Sequence, residues 1–225
     1  MKKTIIENIL MLVLGALTAQ IAQAQGSVAF LSNLAQSSTG SIAVGSDSWV
    51  APLFYSGNNP GGYVFNSVQL AMTDSTGSPS GFTVMVYSVI GVVGANPGSS
   101  LGALTGSTSP TIAGTYTYTS PSGISLAPHT AYFIVLTSAT MVASGACEWS
   151  LSGINSYNPS DGWAVTGGIS SSVLHSSNGS SWSSLSATYP QFAINATPAP
   201  EPGVLGLFAL GGLLVACQHR RTRSP

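Results

Sequence analysis

The sequence predicts an all-β fold, a jelly-roll-like β-sandwich flanked by an N-terminal signal helix and a short C-terminal hydrophobic helix. Three observations predict it. Runs rich in β-branched and aromatic residues recur between clusters of Gly, Ser, Asn and Pro, as short strands separated by turns do. Within several runs apolar residues alternate with polar ones, and nowhere between the two ends is a helical period sustained. About nine such runs at roughly ten-residue spacing describe a sandwich rather than a single sheet.

The chain opens on a targeting segment. Met1-Lys2-Lys3 is a positive n-region, residues 9–19 are an apolar h-region, and Ala22-Gln23-Ala24 is a small-x-small cleavage site. Residues 1–24 therefore predict a Sec-type signal peptide, with the Sec export machinery as a partner and 25–197 as the exported domain. Between residues 25 and 199 there is no Lys or Arg, and the charged side chains are Asp47, Asp74, Glu148 and Asp161, a formal charge of 0 − 4 = −4. Without cations to displace counterions from phosphates, nucleic acid is excluded as a partner. Richness in Ser, Thr and Gly would suit disorder, but the recurrent Val, Ile, Phe, Tyr and Trp runs call for a packed core. At about 170 residues the domain can bury roughly 70% of its unfolded surface.

The predicted strands are 26–33, 48–55, 63–72, 83–89, 114–118, 131–137, 147–151, 162–165 and 191–196. In 63–72, Val64, Val68, Leu70 and Met72 fall on one face, broken at Asn66. In 82–87, Phe82, Val84 and Val86 share a face, with Thr83, Met85 and Tyr87 on the other. Tyr132-Phe133-Ile134-Val135-Leu136 is apolar throughout and predicts a central strand covered on both sides. Residues 74–81 and 58–62 supply turn chemistry. Residues 91–114 are the longest irregular piece, with a surface excursion expected over 95–102, and 167–186 is a serine-rich loop holding Trp182. Of two cysteines, Cys217 lies in the C-terminal segment, so Cys147 has no exported partner and is expected as a small buried strand residue.

Pro200-Glu201-Pro202 is followed by an uncharged run, 203–217, and then by Arg220, Arg221 and Arg223. As a helix of about fifteen residues, at about 1.5 Å each, the run would span roughly 22 Å, short of the roughly 30 Å hydrocarbon layer. The arginines would hold its far end on the cytoplasmic side, a stop to membrane passage. This ordered triple, residues 198–225, resembles the PEP-CTERM sorting signal of Gram-negative bacteria that make extracellular polysaccharide. That resemblance implies recognition and cleavage by a membrane-embedded exosortase, a transient inner-membrane stage, and delivery to the cell surface or outside the cell. A plain tail anchor is the competing reading. Gly203 departs from the serine or alanine that often follows the motif, and Cys217-Gln218-His219 interrupts the approach to the arginines.

A second resemblance lies within the domain. Phe82-Thr83-Val84-Met85-Val86-Tyr87-Ser88, then Asn96-Pro97-Gly98-Ser99-Ser100-Leu101-Gly102, then Leu126-Ala127-Pro128-His129-Thr130-Ala131-Tyr132-Phe133-Ile134-Val135-Leu136 are similar to segments of the choice-of-anchor domains. Those bacterial surface modules pair one exported domain with alternative attachment signals, PEP-CTERM among them. The match spans roughly residues 29–196 and carries over no catalytic residue.

Material for chemistry is sparse. Gly98-Ser99-Ser100-Leu101-Gly102 fits G-x-S-x-G, but a hydrolase elbow needs a strand before it and a helix after it, and neither is predicted. His129 and His175 lack acidic neighbours and read as solvated imidazoles. Glu148 beside Trp149 is the one carboxylate placed as in a sugar cleft. Asp47 and Asp161 read first as turn formers, with calcium the metal they would suit; no metal site or cofactor is expected. The candidate carbohydrate-binding residues are Trp182, Trp149, Trp163 and Tyr157, with Tyr189 nearby, since aromatic faces stack on sugar rings; against this, Trp149 and Trp163 suit the core of short strands. The expected function is a non-enzymatic exported protein with a structural or adhesive role at the surface or in the extracellular matrix. The alternative is a carbohydrate-binding module for extracellular polysaccharide, followed by a secreted glycoside hydrolase or esterase using Glu148 or Ser100.

Overall fold

β-branched and aromatic side chains pack best on a pleated surface, and they set most of the strands. A computed structural model describes residues 28–91, 95–165 and 173–200. In chain order these form β1 (Val28–Ser32), β2 (Ser38–Val44), β3 (Trp49–Tyr55), β4 (Tyr63–Gly77), β5 (Thr83–Ile90), β6 (Asn96–Ala103) and β7 (Gly114–Leu126). Then follow β8 (Ala131–Thr137), a single 3-10 turn (Val142–Ser144), β9 (Gly145–Ser152), β10 (Asn158–Pro159), β11 (Val173–Ser176), β12 (Ser183–Ser184) and β13 (Phe192–Pro198). The predicted signal helix and C-terminal helix lie outside the described residues.

All pairings are antiparallel and make two sheets, β10-β1-β13-β4-β9-β2 with β7 also on β4, and β12-β11-β3-β8-β5-β6. The long strand β4 organises the first. Met72 pairs with both Gly114 of β7 and Trp149 of β9, so these strands take opposite edges of β4, and β13 continues the β9 edge over Tyr63–Leu70. The chain crosses between sheets from β2 to β3, β3 to β4 and β4 to β5, and again from β6 through β9. The shared core lies between them and draws on both: Phe65, Val68, Leu70, Trp149, Phe192 and Ile194 from one, Phe54, Val84, Val86, Ile134 and Leu136 from the other.

The all-β expectation holds, and β8 carries the bounds predicted for it. It lies between β3 and β5, with Ile134 and Leu136 in the shared core and Phe133 and Val135 in a second apolar cluster. The face assignment of β4 needs one correction. Tyr63 and Phe65 point inward, not Val64, because the register shifts between Phe65 and Ser67 and reverses the alternation there. Residues 162–165 are not a strand; Asp161 and Gly162 take positive φ, and only Ala164 bridges to Tyr55. The irregular piece over 91–114, with its expected excursion at 95–102, instead contains β6, an edge strand, where proline is tolerated. β2 and β11 were not expected at all.

Candidate functional site

The four carboxylates of the domain each fasten a different piece of backbone or side chain. Asp47 Oδ1 accepts the Val142 N–H at 2.8 Å and Asp74 Oδ1 the Ala113 N–H at 2.8 Å. Glu148 Oε2 accepts the Ser41 hydroxyl at 2.7 Å, and Asp161 accepts the Tyr63 hydroxyl. No three His, Cys, Asp or Glu residues come together among the described residues. Adjacent residues of a strand face opposite ways, so Trp149 enters the core while Glu148 meets Ser41; the two do not line one cleft. Ser100 lies on β6 opposite Tyr87, with strand on both sides of it and no helix to form an elbow.

One serine and one histidine do meet. Ser48 Oγ is 3.3 Å from His175 Nε2, but the hydroxyl donates to the Ala43 carbonyl at 2.7 Å. Its proton is thus spent on backbone, leaving the imidazole to donate rather than to withdraw that proton, as a general base must. His129 sits in the turn before β8 at positive φ. Cys147 is fully buried, and burial, with the Glu148 charge adding to it, pushes its thiol up to about 11. It stays protonated and unreactive near neutrality.

The candidate sugar-binding aromatics divide. Trp149 is 0% exposed and donates Nε1–H to the Gln191 carbonyl at 2.9 Å. Trp163 is 2% exposed and stacks with Phe30 and with Phe54, ring centroids 5.3 and 5.9 Å away. Neither offers a ring face to a ligand, which corrects their candidacy. Tyr157 packs on Phe192 and reaches the Pro190 carbonyl at 3.3 Å, away from Trp182. Tyr189 is partly buried beside that stretch of backbone. Trp182 alone of the set joins an aromatic surface.

That surface is the outer face of the six-stranded sheet. Ala51, Leu53, Phe133, Val135 and Leu174 form its centre, ringed by partly buried Trp49, Tyr55, Met85, Tyr87, Val89, Ala131 and Trp182. Trp49 is held firmly. Its Nε1–H donates to the Ser46 carbonyl at 3.0 Å, and its ring lies on Gly179, where an added Cβ would meet indole carbons at 3.1 Å. Gly179 also has φ +72°, so both space and backbone reserve the position for glycine. The loop delivering Trp182 is self-bonded: Ser176 Oγ accepts the Asn178 and Gly179 N–H groups, and Asn178 Oδ1 accepts those of Ser180 and Ser181 at 2.9 Å each. Trp49, Met85 and Tyr87 are members of this surface that the sequence pattern did not single out. The signal was available in Trp49-x-Ala51-x-Leu53-x-Tyr55, an apolar set on the strand face opposite Val50 and Phe54.

Of the targeting positions Ala22, Ala24, Pro200–Pro202 and the three arginines, only Pro200 is among the described residues, and among those residues no helix is long and apolar enough to cross a membrane. No protein-family model matches the chain, and no curated protein matches it either.

Proposed function

We propose that this is a non-enzymatic protein exported through the Sec machinery and sorted by an exosortase to the cell surface or extracellular matrix, where its role is structural or adhesive. The observation that carries the reading is the order of Pro200-Glu201-Pro202, the uncharged run 203–217 and the arginines, paired with a signal peptide at the other end. The separate engagement of every carboxylate of the domain in holding loops and strands is in keeping with a structural role. We assign the domain to the jelly-roll type, supported by the order β2-β9-β4-β7 facing β3-β8-β5-β6 and by the repeated crossings between sheets.

Deleting residues 200–225 tests the sorting. Full-length protein should pass through the inner membrane and mature to a mass lacking the tail, whereas the truncated protein should skip that stage and leave as a single species. Identical maturation and location of the two would overturn the proposal. So would intact mature protein that still contains Leu205 and Arg223, which would make the tail a plain anchor.

A further inference from the structure

We propose that the outer face of the six-stranded sheet binds a neutral polysaccharide chain, with Trp49 and Trp182 as the stacking platform and Tyr87 as a further contact along the sheet. Four observations carry it. The shared core takes the inner face of this sheet, and the apolar side chains on the outer face of β3, β5 and β8 form a second cluster whose rim is only partly buried. Its central residues, Ala51, Leu53, Phe133 and Val135, are at most 1% exposed, so a second copy of the chain would gain little apolar area there. What remains partly open is aromatic rings and the thioether of Met85, bordered by the exposed hydroxyls of Ser180, Ser181 and Ser183. Flat ring faces suit the C–H faces of pyranose rings, and hydroxyls suit their edges.

Charge decides the class of glycan. None of the residues forming the face is ionisable with a positive charge, and the domain carries only acids apart from its two histidines. A polyanion would find no cation and a like-signed field, so the occupant is uncharged. A lipid surface is disfavoured for the same lack of a basic rim. Rigidity adds to affinity by lowering the ordering cost: the Trp49 indole is fixed by Ser46 and Gly179, and the Trp182 loop by Ser176 and Asn178. From Trp49 to Leu53 is four strand residues, and from Leu53 through Phe133 to Tyr87 is two strand spacings. Together these put the platform and Tyr87 roughly 16 Å apart, a span of several sugar rings.

The inference rests on the exported-surface reading only for where the glycan is met; binding itself is measured on purified protein. Full-length chain in detergent micelles is run in native gels containing galactomannan, mixed-linkage β-glucan or dextran, with alginate as the anionic control. Retardation by at least one neutral polymer and none by alginate is expected, with Trp182→Ala and Trp49→Ala each weakening it about tenfold or more. No retardation by any neutral polymer, or equal retardation by alginate, overturns the proposal. Unchanged retardation in Trp182→Ala, a loop substitution whose unfolding temperature is checked alongside, overturns it too. So does a dimer in sedimentation that Trp182→Ala dissolves, since the face would then be occupied by the protein itself. Mislocalisation experiments on the tail leave each of these outcomes unaffected, so the two proposals fail separately.

Discussion

Gly57 shows how little room single positions leave at one end of the domain. A Cβ there would run into the Asp161 carbonyl oxygen, the Trp163 ring at 2.5 Å and the Tyr63 hydroxyl at 2.6 Å. Around it Tyr63 donates to Asp161 and accepts the Asn59 N–H at 3.0 Å, while Trp163 stacks on Phe30 and Phe54. Two of the three neighbours are backbone or an indole locked in a stack, so relief by side-chain rotation is closed off. Gly57→Ala should cost about 1–3 kcal/mol or more through overpacking, read as a lower denaturant midpoint at unchanged slope. A midpoint equal to that of the parent would show that the three loops meeting there can separate freely.

Among the elements, the loop between β11 and β12 is the one where local bonding and ligand geometry meet. Asn178→Ala removes the acceptor shared by the Ser180 and Ser181 N–H groups and the buried Ser176 hydroxyl, but removes no apolar core side chain. It should lower global stability by about 1 kcal/mol or less while freeing Trp182, seen as a red-shifted and less polarised indole emission. An unshifted spectrum would mean that packing on the sheet, not the loop, holds the ring. The strands also show which parts of this fold were legible. β8 was, because a run apolar on both faces can only be central. β2 was not, because Ser38, Thr39, Gly40 and Ser41 are all exposed on a sheet edge and leave no alternation to find. β6 carries Pro97 and two glycines, residues that signal turns and are tolerated only where one edge is free. For the aromatic surface, Trp182 stood out among serines, whereas Trp49 and Tyr87 sat in strands whose second face had no visible reason to matter. Trp149 and Trp163 already suited the core in the sequence, and their burial against Phe192, Phe30 and Phe54 decides for it.

Considered whole, the molecule holds its ionisable groups in a way that fixes its response to alkali. Burial holds the Cys147 thiol protonated up to about 11, and burial likewise raises Tyr118 and Tyr157, and Tyr63, which also donates to Asp161. All four folded-state values lie above the unfolded ones, so their contribution to stability is complete below about pH 8.5 and is lost as pH rises past the folded values. In that window the unfolded chain releases protons that the native chain retains, at a slope of up to about 1.4 kcal/mol per pH unit for each. The guanidinium midpoint should be level between pH 7 and 8 and fall by pH 10.5, with Cys147→Ala removing the earliest part of the decline. A level midpoint throughout would contradict the burial of these groups. Long-range pairing set the rest of the architecture beyond reach of the sequence: β2 meets β9, and β4 meets β13, across a hundred residues or more, and no local pattern records such choices.

β13 runs between β1 and β4 with ladders on both sides, and it is the last strand among the described residues. Tension entering from the C-terminal side would act along its axis. It would strain both ladders in shear, many bonds sharing the pull simultaneously, whereas a two-residue flap such as β12 would peel one bond after another. A protein held by that end would yield last at the point where it is held.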